Sequence, residues 1–216
     1  HVAFQQVHHG GGTGVPKMPR HRSAVLMYVM EAGFWGNRAL WHLTLGGVFE
    51  RFPGIRVVFT EQGTAWVPPA LDQMDRMWAD MKKNGRIGEL GIDDSSILPH
   101  RPSDYFRRNC FVGSAFPSPG DARPMRKLGL DKILWGSDYP HVEACSPHSR
   151  ESIRHTFAGF STAELRQVLA ANTAAVYGFD LAALQPIADE VGPSYAELTS
   201  PLEELPANQS PAFSRP

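Results

Sequence analysis

"ILWGSDYPH", residues 133–141, is an apolar run that ends on a carboxylate, an aromatic ring, a proline and a histidine. Ile133, Leu134 and Trp135 are bulky and branched or aromatic, as buried strands require. Gly136 and Ser137 interrupt the run, and Asp138 stands at its tip. One reading is a plain turn, because Asp and Pro are common turn residues. The other is a strand that delivers a carboxylate to a functional site. Other strands decide between them, by how they end.

Outward from this stretch, the same pattern recurs. "IRVVFTEQG", 55–63, has the β-branched and aromatic core Val57-Val58-Phe59 of a buried parallel strand and ends at Glu61. Val2–Val7 is a short candidate strand that runs into His8 and His9. A further strand around Cys110–Val112 ends near Ser114.

Helical patterns lie between the strands, at 22–33, 36–50, 66–83 and about 120–129, from Ser146 onward, and over 161–177. Pro68 and Pro69 fit the first turn of the third helix, Leu71, Met74, Trp78 and Met81 form its inner stripe, and Gly85 can close it. Ser161 and Glu164 have capping-box spacing. They precede the apolar positions Leu165, Val168, Leu169 and Val176, and Gly178 is the stop. Residues 86–104 read as irregular. Short strands separated by helices predict an α/β fold with a parallel sheet. Such folds build their sites from polar residues just past the strand C-termini.

The 216 residues carry 21 basic and 22 acidic side chains, a net charge of −1. That balance argues against a nucleic-acid partner. No apolar run approaches the roughly 20 residues of a membrane span. Cys110 and Cys145 lie in no metal or redox spacing and read as reduced thiols of a cytoplasmic protein. No G-x-G-x-x-G follows a strand, which ranks a dinucleotide-binding domain low. The opening "HVAFQQVHHGGG" reads as the interior of a longer chain. From about Gln185 the sequence turns rich in Pro, Glu, Ala and Ser. The division expected is a domain over 1–184 and a C-terminal arm over 185–216, flexible after about 200.

His9, Glu61 and Asp138 therefore share one place, the tip of a strand. Imidazole nitrogen and carboxylate oxygen are the usual ligands of catalytic divalent metals. An Asp there can also act as general base.

These residues carry a family resemblance. "ILWGSDYPH" resembles the eighth-strand motif of the amidohydrolase superfamily, closest to its aminocarboxymuconate-semialdehyde decarboxylase-like branch. "GGVFERFPGIRVVFTEQGTAWVPPALDQMD" looks like the sixth strand of that branch with its flanking helices, "VHHGGG" is similar to its fifth-strand end, and "ANTAAVYGFD" matches its closing helix. The resemblance implies a distorted (β/α)8 TIM barrel of the metal-dependent hydrolase type, present as its C-terminal half, about strands five to eight. It implies His9 as a metal ligand and Asp138 as both ligand and general base. Glu61 stands where the family often has a His, so it enters either as a carboxylate ligand or as the mark of a site that binds metal weakly. Apart from the resemblance, Arg107 or Arg108 would face a substrate carboxylate by bidentate pairing, and His141 would shape the loop beyond Asp138 and contact the substrate. The first-strand His-x-His pair of the family is absent.

The cofactor implied is a divalent metal, zinc first and manganese second. The partner implied is a small-molecule substrate, with neither nucleic acid nor membrane, and a homo-oligomer stays open. Two activities follow: hydrolysis of a lactone, ester or amide, or C–C cleavage that releases CO2 from a small carboxylated substrate. The rival is a truncated barrel without a competent metal site and without catalysis.

Overall fold

The computed structural model describes residues 4–7, 23–91, 98–208 and 210–214. The chain forms two compact units, His1–Gln62 with Trp66–Phe111, and Gly63–Ala65 with Val112–Pro216.

In the first unit, β1 (Phe4–Val7) is followed by α1 (Ala24–Leu45), α2 (Val48–Arg51) and β2 (Arg56–Thr60). β1 and β2 pair in parallel, from Phe4 opposite Arg56 to Val7 opposite Phe59. Val57, Val58 and Phe59 are all buried, the continuous apolar run of a strand covered on both faces. α1 corrects the expectation of two helices: a single helix of 22 residues runs through Gly33 and Gly36. A glycine inside a helix costs only about 1 kcal/mol against Ala, so packing can override it. At Gly36 the reason is close approach, since a Cβ there would lie 3.0–3.1 Å from the Gln62 amide. Gly47, at φ 71°, turns the chain into α2.

α3 (Val67–Asn84) starts with its prolines in the first turn and ends at Gly85 in the left-handed conformation. Leu71 and Met74 are buried on its inner face. The Trp78 indole donates to the Leu98 carbonyl at 2.8 Å. The stretch expected to be irregular holds a small antiparallel hairpin, β3 (Arg86–Ile87) with β4 (Leu90–Gly91), and then α4 (Pro102–Asn109). α4 takes the residues that lead into the next strand. Pro102 suits its first turn, and Tyr105, Phe106 and Asn109 bury one face at helical spacing. Asn109 is fully buried and its Nδ2 donates to the carbonyls of Pro53 (3.0 Å) and Ile55 (2.7 Å), clamping the entry to β2. β5 (Cys110–Ala115) follows at once.

β5 alternates buried and half-buried residues, and its second-unit part, from Val112 on, pairs in parallel with β6 (Ile133–Gly136). Between them lies α5 (Ala122–Leu128). α6 (Ser149–Thr156) comes next. α7 (Thr162–Arg166), a π-helical turn over Gln167–Ala171, and α8 (Asn172–Tyr177) form one continuous rod. The capping box is present: Ser161 Oγ accepts from the Glu164 N–H, and Glu164 accepts from the Ser161 N–H at 2.9 Å. Leu165, Val168, Asn172 and Val176 form the buried face. Leu169 was expected among them and is only half-buried. The wide π turn rotates the rod at that point, which brings Asn172 inward and leaves Leu169 at the edge.

Asn172 repeats the device of Asn109. Its Nδ2 donates to the carbonyls of Leu130 and Ile133, both at 2.7 Å, and so clamps the entry to β6. The segment after 180 is helical, with α9 (Leu181–Val191), α10 (Tyr195–Thr199) and α11 (Pro211–Ser214). Leu198 and Ala212 are buried within the unit. Arg150 joins α6 to α10 through Glu197 at 3.1 Å. Among the described residues, each unit holds one parallel strand pair and neither closes a barrel. No helix is long and apolar enough to cross a membrane among them.

Candidate active site

The stretch "ILWGSDYPH" is a strand followed by a turn. β6 stops at Gly136, and Asp138 lies two residues beyond in the left-handed region, at φ 63°. Glu61, one residue past β2, has φ 58°, and Phe116, one past β5, has φ 32°. Non-glycine residues adopt this conformation uncommonly, Asp more readily than Glu or Phe, and it concentrates at functional sites. Each of these strands therefore turns sharply at its C-terminal end.

Beyond β6 the chain forms a tied loop. The Tyr139 N–H donates to Ser137 Oγ (3.3 Å), and the His141 N–H donates to the Asp138 carbonyl (3.0 Å) across a turn containing cis-Pro140. The Ala144 N–H donates to the His141 carbonyl (3.1 Å). The Cys145 N–H then returns to the Ser137 carbonyl at 3.2 Å. Cys145 is a free, wholly buried thiol that anchors the loop base. These bonds fold the loop so that Asp138, His141 and Glu143 converge. One ligand atom from each lies within 4.8 Å of the other two. His141 Nδ1 and Glu143 Oε1 are 3.6 Å apart. Asp138 is half-buried and the other two are exposed. Tyr139 and Val142 project beside them, 73% and 85% exposed.

Two carboxylates and an imidazole are an oxygen-rich donor set of the kind that divalent cations take. Two of the three were singled out from the sequence. Glu143 was not. Its signal is the spacing Asp138-x-x-His141-x-Glu143 in the loop after a strand, which has no fixed meaning until the turns are known.

None of the other site residues inferred from the sequence belongs to this loop. His9 falls outside the described residues. Glu61 is half-buried in the first unit. Arg107 is on the surface of α4, paired with Asp104 at 3.0 Å. The Arg108 guanidinium donates to the Phe49 carbonyl and to Asn109 Oδ1 (2.9 Å), and lies 5.2 Å from the Tyr105 ring. Those contacts buttress α2 against α4. Tyr105 in turn donates to Glu50 at 2.7 Å, and burial, followed by that bond, pushes its phenol up to about 12. A cavity of about 490 Å³ is lined by residues of the α7–α8 rod, α9 and α10. None of residues 133–149 lines it, so it is separate from this loop.

With the strand tip and its donor loop in place, comparison with known proteins is decisive at the level of family. The family described as amidohydrolase matches residues 6–179. The chain belongs to the amidohydrolase family. The resemblance drawn from "ILWGSDYPH" and its companions is thereby borne out. Amidohydrolases and related decarboxylases of known structure share the fold at low identity. An amidohydrolase from Mycobacterium avium subsp. paratuberculosis K-10 is 24% identical with a TM-score of 0.51, over 63% of this chain and 32% of that one. A 5-carboxyvanillate decarboxylase from Novosphingobium aromaticivorans, solved with manganese, is 17% identical with a TM-score of 0.53, over 71% and 40%. A dihydroxybenzoic acid decarboxylase from Polaromonas sp. JS666, also with bound manganese, is 16% identical with a TM-score of 0.50, over 76% and 48%. This amidohydrolase chain thus spans a third to a half of their lengths. No curated protein sequence matches it.

Proposed function

We propose that this chain carries the strand-eight end of a divalent-metal-dependent amidohydrolase that decarboxylates or hydrolyses a small carboxylated, lactone or amide substrate. The observation that carries the reading is the convergence of Asp138, His141 and Glu143 on a loop held by backbone hydrogen bonds at the end of β6. Asp138, with His141 and Glu143 beside it, would hold the ion. Bound there, a divalent cation would polarise an oxygen of the substrate. Asp138 carries the proton step, since a carboxylate accepts a proton and a carboxyl returns it. Tyr139 and Val142 offer apolar surface to a ring or acyl chain. Zinc is not favoured over manganese: the two related decarboxylases hold manganese, and the donor set suits a hard cation. The roles expected for His9 and Glu61 rest on their strand-tip positions in the sequence and on the family resemblance, and those of Arg107 and Arg108 on the sequence reading alone.

The length shared with relatives supports a second reading, a barrel portion that folds but does not catalyse. One experiment separates the two. Mn²⁺ is titrated into the chain and into Asp138→Asn, and each is assayed for CO2 release from 2,6-dihydroxybenzoate and for lactone opening. The first reading expects binding and turnover, with the Asn variant losing turnover while its circular dichroism is unchanged. The amide keeps the shape but accepts no proton at neutral pH. Absence of both Mn²⁺ binding and turnover supports the second reading, a barrel portion without a competent metal site. Binding that is indifferent to Asp138→Asn refutes the assignment of the loop.

A further inference from the structure

On the two strands that pair before the Asp138 loop, two polar atoms are buried without a hydrogen-bond partner among the described residues: Ser114 Oγ and Trp135 Nε1. They belong to the two strands that pair in the second unit, and the parallel register sets Ser114 directly opposite Trp135. Residues opposite each other on neighbouring strands project to the same face, with the strands about 4.8 Å apart. Ser114 is 1% exposed, and the Trp135 residue is half-buried with its Nε1 inaccessible. Both stand one residue before their strands end, at Ala115 and Gly136, and Asp138 is three residues beyond Trp135.

A buried polar atom with no partner is costly, and native structures keep few of them. Here two such atoms belong to residues that stand opposite each other on neighbouring strands, at the sheet end where open α/β sheets bind their ligands. Their chemistry matches. The indole N–H can only donate, and the serine hydroxyl can donate as well. A group with two acceptor oxygens satisfies both. We infer that Ser114 and Trp135 form a two-donor subsite for the carboxylate of a small bound molecule. The inference rests on the reading that the site takes a small carboxylated substrate, and it names the residues that hold the carboxylate. Neither residue moves a proton. Both are binding residues that orient the molecule against Asp138.

The test uses the full chain without added metal, and benzoate as the probe. Titration is followed by the indole N–H resonance of Trp135, identified by its loss in Trp135→Phe, and by calorimetry on the chain, Ser114→Ala and Trp135→Phe. Benzoate is expected to shift that resonance and to bind about tenfold more weakly to each variant, the scale of one lost hydrogen bond to a charged group. The midpoint of thermal unfolding of Ser114→Ala is expected to stay level or rise, because the hydroxyl it removes has no protein partner to lose. Equal affinity in all three chains, no affinity in any, or an unmoved indole resonance overturns the inference. So does a Ser114→Ala chain that is destabilised yet binds benzoate normally, since the hydroxyl is then structural. A chain that binds benzoate through these donors but shows neither Mn²⁺ binding nor turnover keeps the subsite and refutes the metal-dependent reading. Turnover with benzoate binding unchanged in both variants does the reverse.

Discussion

Replacing Asn172 should loosen β6, and the size of the loss follows from two distances. The Asn172 amide donates to the carbonyls of Ile133 and Leu130 at 2.7 Å each. The bond to Ile133 is buried, whereas the one to Leu130 is part-buried. In Asn172→Ala the Ile133 carbonyl loses a donor out of reach of water, a cost of about 1–3 kcal/mol. The Leu130 carbonyl can regain water, so its share is the ordinary net value of about 0.5–1.5 kcal/mol. The two bonds share one donor group and are not independent, which puts the total at about 2–4 kcal/mol. Asn172→Asp should cost at least as much, because a carboxylate would face two carbonyl oxygens with nothing to donate. Urea denaturation of the three chains measures this, provided the slope of the transition is unchanged. A loss below about 1 kcal/mol in the Ala variant, or an Asp variant more stable than the Ala one, would refute the clamp. The same clamp holds the strand whose tip presents Asp138, so Asn172→Ala should also weaken any Mn²⁺ bound at the loop.

The packing of the α7–α8 rod gives a second prediction. Leu165→Ala should cost about 2–5 kcal/mol as a fully packed site, and Leu169→Ala less than half of that, measured in the same denaturation assay; equal losses would contradict the rotation at the π turn. Glu164 sets an acid limit. The Arg126 hydrogen bond first, and then the Ser161 N–H, hold its carboxyl down to about 2 from 4.5. A lowered folded pKa stabilises fully above the unfolded value, and the gain disappears as pH falls from about 4.5 toward 2. Glu164→Gln should therefore flatten that part of the stability–pH curve, and an unchanged slope in the variant would count against the pairing.

Local chemistry wrote much of this fold into the sequence. Val57–Phe59 and Ile133–Trp135 had to be strands, because continuous branched and aromatic runs satisfy their surface only when both faces are covered. Gly85 and Gly178, both left-handed in the structure, end helices because that backbone suits glycine. Ser161 and Glu164 start one because their side chains satisfy N–H groups within three residues. Asp138 at a strand tip was legible for the same reason: the run before it and the turn residues after it are neighbours in the chain. Tertiary structure decided the rest. Gly36 stays helical because the Gln62 side chain packs over it, 26 positions away. Asn109 and Asn172 look like ordinary polar residues until the carbonyls they clamp, 39–56 positions away, are in place. Glu143 joins Asp138 and His141 only through the hydrogen bonds that close the loop. Ser114 and Trp135 become a pair only through the register of two strands. A sequence reveals what a residue can satisfy within a turn or two of chain. Partners brought together by strand pairing and loop closure are chosen by the packing of the whole unit, which no local pattern contains.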